Sequence, residues 1–339
     1  MSGASSEALL RLREAASIVY RSMGPTLTYA WPLLREATGV ECWVKHENHT
    51  PIGAFKLRGG LVYVERLRLR EAKLAGLISA TRGNHGQSLA FACAQHQLAC
   101  VIVVPHGNAR EKNAAMRALG AELIEFGKDF DEARAHAASL ARERDLHFVP
   151  SFHPDLVDGV ASYALELFEA APPLDTVYVP IGLGSGICAV LRARDALGLA
   201  TRVVGVVAQG ANAYARSFRA GKPVSTEHAR TMADGMAVRV PDPVALDTIL
   251  QGVAAIVEVS DAAIEQAIRV LLRTTHNLAE GAGAASLAAL LEEREAMQGK
   301  RVGLILCGAN IDADLLCRVL EHGRASLQES AASGPCGDD

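Results

Sequence analysis

No stretch of this 339-residue chain reaches the ~20 consecutive apolar residues needed to cross a bilayer. Its first residues, MSGASSEALLRLREAASIVY, form an amphipathic helix pattern with Arg11, Arg13 and Glu14 on the polar side, without the continuous apolar core of a secretory signal. Neither sign of charge dominates. Thirty-four Lys and Arg face 38 Asp and Glu, a net charge of −4, which excludes a broad basic surface for nucleic acid but not a local cationic pocket. The seven cysteines (Cys42, Cys93, Cys100, Cys188, Cys307, Cys317 and Cys336) follow neither a zinc-module spacing nor a secreted disulfide framework. Reduced thiols, most of them in apolar runs, are expected in a cytoplasmic protein. There is no internal repeat of fixed period. With 50% hydrophobic and 21% charged residues, the chain can build a large core, as one large or two medium domains.

Short apolar segments alternate with amphipathic helical ones. ECWVKHE, GLISA, ACVIVVP and AELIEF are each followed by a helix pattern. After Pro150 and Pro154 a second set begins with TVYVPIG, RVVGVVA, AAIVEV and RVGLILCG. Repeated βαβ units predict α/β architecture with two doubly wound parallel sheets and a cleft between them. The tail ESAASGPCGDD is small, polar and acidic, and a frayed end is expected there. Ligands in such folds collect at the carboxyl ends of strands.

Four segments place chemistry there. In TPIGAFKLRGG, Pro51 and Gly53 shape a turn, Ala54 leaves room, and Lys56 opens a helix, where the dipole disfavours a cation unless an anion is near or the amine is neutral. A solvated surface lysine would fit the same residues. In SATRGNHGQS a strand ends in Thr81, Arg82, Gly83, Asn84 and His85 before a helix, whose free N–H groups could cradle a carboxylate; an ordinary polar loop would look alike. PIGLGSGICAV sets Gly182, Leu183, Gly184, Ser185 and Gly186 between strand and helix, a phosphate-loop pattern without G-x-G-x-x-G spacing, without an acidic residue closing the next strand, and without a Walker lysine. LILCGAN delivers Cys307 to a sheet edge, where a core cysteine is the simpler alternative.

Taken in order, these segments resemble the fold-type II pyridoxal-phosphate enzymes of the threonine/serine dehydratase and serine racemase group, from about Pro25 to about Asp312. KHENHTPIGAFKLRGG is similar to the family's Schiff-base lysine motif, SATRGNHGQS to its substrate loop and PIGLGSG to its tetraglycine loop. The resemblance implies a tryptophan synthase β-like fold. It assigns residues 1–60 and 151–325 to a large cofactor domain, 61–150 to a small substrate domain and 326–339 to a disordered tail. It implies pyridoxal 5'-phosphate joined to Lys56, with its phosphate on the N–H groups of Gly182 to Gly186 and its ring against Phe55. Cys307 would face the pyridine nitrogen, and Asn84 the phenolic oxygen. Thr81, Arg82, Gly83, Asn84 and His85 would take the substrate carboxylate, and Asp234 in TMADGMAV would orient its hydroxyl unless it serves as a helix cap. The implied activity is β-elimination of water from a β-hydroxy amino acid, giving a 2-oxo acid and ammonia, by a cytoplasmic homodimer that binds neither nucleic acid nor membrane. Serine, threonine and an aryl serine stay open as substrates. The alternatives are a 3-hydroxyaspartate dehydratase or a catalytically idle cofactor-binding protein.

Departures from the family pattern sharpen this. Cys307 stands where serine is usual, and a thiol is too weak a donor to keep the ring protonated, which favours elimination over transamination. Arg82 replaces the racemases' serine, and a guanidinium is a poor proton shuttle, so racemisation is not expected. Ser151 replaces an asparagine often found at the ring. QGANAYA, Gln209 to Ala215, lacks the carboxylates of the family's divalent-cation site, so no metal is expected there. No regulatory domain follows Leu327, so allosteric control by isoleucine is not expected.

Overall fold

The computed structural model describes residues 3–71 and 73–332. In chain order the elements are α1 (Gly3–Val19), β1 (Thr28–Ala30), α2 (Pro32–Thr38), β2 (Glu41–His46), α3 (Lys56–Arg70), β3 (Gly76–Ala80), α4 (Asn84–Gln95), β4 (Ala99–Val104), α5 (Arg110–Ala118), β5 (Glu122–Glu125), α6 (Phe130–Glu143) and β6 (His147–Phe148). They continue as α7 (Pro154–Ala170), β7 (Thr176–Pro180), α8 (Ser185–Ala196), β8 (Arg202–Ala208), α9 (Ala213–Ala220), α10 (Pro243–Gly252), β9 (Ala255–Val259), α11 (Asp261–Thr275), α12 (Gly281–Glu293), β10 (Arg301–Leu306) and α13 (Ala313–Ala332).

Two sheets result, one of six strands in the order β1-β2-β10-β7-β8-β9 and one of four in the order β5-β4-β3-β6. All pairings are parallel except one. Edge strand β1 runs antiparallel to β2, with Thr28 opposite Lys45, so the expected uniformly parallel sheet is corrected at that edge. In the small sheet alternate residues feed opposite cores. Leu77 and Ile102 pack toward α3 and α4, whereas Ile78, Val101 and Val103 pack against Ala133 and Ala137 of α6. The large sheet has one continuous core.

Two expected boundaries move. The break at residue 60 falls inside α3, whose Gly59 and Gly60 are buried helix positions, not a linker. Residues 326–332, expected in a disordered tail, continue α13, and the rest of that tail with Cys336 lies outside the described residues. Of the other cysteines, all free, only Cys317 is exposed. No helix among the described residues is long and apolar enough to cross a membrane.

One packing feature had no clear sequence signal. Arg58, on the first turn of α3, is fully buried and makes bidentate ion pairs with Glu47 (2.7 and 2.9 Å) and Glu166 (2.6 and 2.9 Å). Buried Lys45 of β2 joins the same Glu166. Two cations balance two carboxylates, the condition under which buried charge is tolerated. The cluster ties β2, α3 and α7 together and fixes the helix that Lys56 opens.

Candidate active site

Lys56 is brought to the cleft by a turn clamped onto the end of β10. Thr50 Oγ1 donates to Ala54 O and accepts from Ala54 N. Phe55 N donates to Cys307 O at 3.0 Å, and Ala309 N donates to Gly53 O at 2.9 Å. Residues more than 250 positions apart in sequence thus become neighbours. The Lys56 amine faces a cavity of about 490 Å³ between the two sheets. Its Nζ donates to Ser185 Oγ at 3.0 Å and lies 5.0 Å from the Phe55 ring centre.

Every residue singled out in the sequence lines this one cavity: Phe55, Lys56, Thr81, Arg82, Gly83, Asn84, His85, Gly182 to Gly186, Asp234 and Cys307; Ser151 lines it too. Two loops of the same kind, β3 to α4 and β7 to α8, face each other across it. The N–H groups of Asn84, His85 and Gly86, and those from Gly182 to Ile187, donate to no protein acceptor among the described residues. Donors at two helix starts are therefore open to anions. Gly184, at φ +104°, could carry no side chain, because a Cβ would come within 2.6 Å of Ala245 Cβ.

Burial pulls the Lys56 amine down to about 8, with Cys307 acting in the opposite direction. Burial first, and the Lys56 charge second, push the His85 imidazole down to about 3, so it stays neutral. Its Nε2 is buried without a partner. Burial, reinforced by Glu280, raises the Cys307 thiol far above its ordinary range, so it stays protonated. An unpartnered buried imidazole nitrogen, open N–H groups on a glycine-bearing loop, a half-neutral lysine and an aromatic ring beside it all fit a phosphorylated aldehyde cofactor.

Three residues were missed. Lys112 of α5 is buried, and its Nζ donates to both oxygens of Asp234 (2.9 and 2.8 Å) and to Glu280 Oε2 (2.9 Å). Asp234 therefore sits on the cavity wall paired with Lys112, inside a short 3-10 turn and not at a helix cap. Glu280 Oε1 accepts from Asn84 Nδ2 at 2.6 Å, and Asn84 Oδ1 accepts from Asn310 Nδ2 at 2.8 Å. The side chain of Asn84 is thereby held at both ends. Burial holds the Glu280 carboxyl above its ordinary range; Lys112 opposes this and Asp234 adds to it. A charge on the apolar face of α5, four residues before buried Met116, was the available hint for Lys112. At the cavity mouth Arg239 pairs with Asp131 of α6 and lies 3.6 Å from Asp129. Arg82 lines the cavity with no side-chain partner among the described residues.

Fold and site together define a two-layer α/β protein with a buried lysine and two open anion-accepting loops in the cleft between its sheets. The comparisons carry this further. The model of the family described as pyridoxal-phosphate dependent enzyme matches residues 19–308. The chain is 32% identical to an L-threonine ammonia-lyase of Thermotoga maritima over 92% of its own length and 76% of that relative. It is 30% identical to an L-threo-3-hydroxyaspartate ammonia-lyase of Pseudomonas sp over 84% of its length and 89% of that relative. Among solved structures, the processed form of threonine deaminase isoform 2 from Solanum lycopersicum superposes with a TM-score of 0.87 at 27% identity, covering 95% of this chain and 94% of that one. The chain belongs to the pyridoxal-phosphate-dependent enzymes, in the fold-type II group of threonine and serine dehydratases. Its cofactor is pyridoxal phosphate.

Proposed function

We propose that the protein is an ammonia-lyase that removes water from a β-hydroxy amino acid and releases a 2-oxo acid and ammonia, acting as a homodimer. The observation that carries this reading is the buried Lys56 amine facing the cavity together with the open N–H groups of the loop from Gly182 to Ile187 and with Cys307, whose thiol stays protonated. Pyridoxal phosphate, held at Lys56 and the loop from Gly182 to Gly186, would supply an electron sink for the electrons of the substrate's Cα–H bond. The rest is done by this chain. The N–H groups of Gly182 to Ile187 hold the phosphate, and Phe55 packs beside the ring. Thr81, Asn84 and His85, with the N–H groups at the start of α4, orient the substrate carboxylate. Lys56, about half neutral near pH 8, takes the α-proton. The hydroxyl on Cβ then departs as water with a proton that balances the one Lys56 has taken, and the released enamine tautomerises to an imine that water hydrolyses to the 2-oxo acid and ammonia. Cys307, neutral and a weak donor, does not stabilise a long-lived carbanion, which steers the reaction toward prompt loss of the β-substituent.

Serine, threonine and a bulkier serine such as phenylserine are the substrates of this reading. A 3-hydroxyaspartate is the second reading, supported by the unpartnered guanidinium of Arg82 on the cavity wall. The test is a panel of these four amino acids with the cofactor-loaded protein, following 2-oxo acid release and the visible Schiff-base band. Release from at least one, and its abolition by Lys56→Ala, is the expected result. Turnover by carefully purified Lys56→Ala would overturn the assignment, and colour without turnover on any of the four would leave a cofactor binder.

A further inference from the structure

The loop from Gly182 to Gly186 carries side chains at two positions, Leu183 and Ser185, and they are not alike. Leu183 is half-buried and meets Tyr214 only through its carbonyl oxygen. Ser185 is 2% exposed, and its Oγ accepts from Lys56 Nζ at 3.0 Å. That is the sole hydrogen bond of either side chain among the described residues. Gly186 has room for a Cβ, 3.5 Å from the Tyr163 hydroxyl, but carries none, and Gly182 and Gly184 have no room. A Cβ on Gly182 would lie 2.4 Å from the carbonyl oxygen of Gly235, and one on Gly184 would meet Ala245. The hydroxyl thus sits at the loop position that both admits a side chain and touches the lysine, and its own hydrogen has no protein acceptor.

Other groups face the amine from each surrounding element. His85 comes from α4, Cys307 follows β10, and Glu280 heads α12 with Lys112 of α5 and Asp234 behind it. His85 and Cys307 are neutral, and none of these hydrogen-bonds to Nζ.

Building on the assignment of Lys56 as the cofactor-bearing lysine, we propose that Ser185 is its positioning residue. The hydroxyl receives the amine's hydrogen bond whenever that amine is free, and turns its own hydrogen toward an anion held on the loop. A free amine is the state in which Lys56 takes the α-proton, so Ser185 fixes the base at that step. A bond accepted from an ammonium favours the charged form, against the pull of burial. Without it the amine should titrate lower.

The measurement is Schiff-base formation between the cofactor-free protein and salicylaldehyde, which has no phosphate, followed by absorbance across a pH series. Lys56→Ala identifies the signal. In Ser185→Ala and Ser185→Gly the midpoint should fall by about one pH unit, the effect of losing one hydrogen bond to a charged group, and Ser185→Thr should restore it. Affinity for pyridoxal phosphate is titrated separately by fluorescence. An unmoved midpoint in both truncations, with only weaker cofactor binding, would make Ser185 a phosphate ligand with no hold on the amine and overturn the proposal. A threonine variant that behaves like alanine would also overturn it. These outcomes are separable from failure of the functional reading: a wild type that turns over with an unmoved midpoint in the variants refutes Ser185 alone, whereas a shifted midpoint in a protein without turnover refutes only the lyase.

Discussion

Two ionic clusters, one fully buried around Arg58 and one largely buried around Lys112, differ in balance. Around Arg58, two cations meet two carboxylates, and none of the four touches the cavity. Around Lys112, one cation meets two carboxylates, and all three line the cavity. Both clusters are hydrogen-bonded and both join distant parts of the chain. Buried charge by itself therefore marks nothing functional here. What distinguishes the site is an uncompensated sign beside open space, because an excess buried charge costs free energy unless a proton or a ligand offsets it. The balanced cluster holds the fold; the unbalanced one holds Asn84 and Asp234 at the cavity wall.

The largest effect that tests this contrast is Glu47→Gln. It leaves Arg58 with too few carboxylates, and unfolding in urea should show a loss of about 3–5 kcal/mol. Glu280→Gln removes surplus charge instead and should cost far less. Equal losses in the two variants would remove the distinction.

Next in size, Arg82→Gln takes away a cavity-wall guanidinium that belongs to neither cluster. If the hydroxyaspartate reading holds, kcat/KM for that substrate should fall by about tenfold or more, as for one hydrogen bond to a charged group, with little change for serine. Equal changes for both substrates would reject a second carboxylate contact.

A smaller effect is a difference in the sign of pH dependence. Burial disfavours the Glu166 charge, but Arg58 and Lys45 prevail and hold its pKa below the ordinary value of 4.5. Its contribution is present above that value and is lost as pH falls through the lowered one. Glu280 is held above 4.5, so the folded protein binds its proton more tightly than the unfolded chain does. That contribution is complete below 4.5 and is lost as pH rises through the raised value. Thermal midpoints across a pH series should fall at both ends, and Glu280→Gln should flatten only the upper limb. An upper limb unchanged by that substitution would detach it from this cluster.

The smallest expected effect is that of magnesium. The segment from Gln209 to Ala215 offers no carboxylate, and Asn212 Nδ2 and Arg219 both donate to Glu258 instead. Millimolar Mg²⁺ should change turnover no more than matched ionic strength does; a larger stimulation would show that hard-cation ligands come from elsewhere.

The local features were legible because their causes are local. Lys56 after its Pro-Gly turn, the two strand-to-helix loops and the thiol after a buried strand each carry their signal within about ten residues, and alternation of apolar strands with amphipathic helices gives the layers. Lys112, Glu280 and Asn310 were not legible, since Lys112 meets Glu280 across 168 positions and Asn310 meets Asn84 across 226. The break placed at residue 60 failed for a related reason. The missing side chains of Gly59 and Gly60 serve close packing of α3 on α7 and α4, where a Cβ would strike Leu156 O at 2.8 Å or Ser88 Oγ at 2.7 Å.

The amino-acid order alone determined the α/β class, the lysine and the two anion-accepting loops, because periodicity, glycine placement and helix starts act over a few residues. The tertiary structure alone decided which charges would be balanced, which would be left facing the cavity, and that a serine hydroxyl would meet the lysine amine. Those outcomes depend on distances between segments far apart in the chain, and electrostatic and hydrogen-bond energies are set by such distances and by burial.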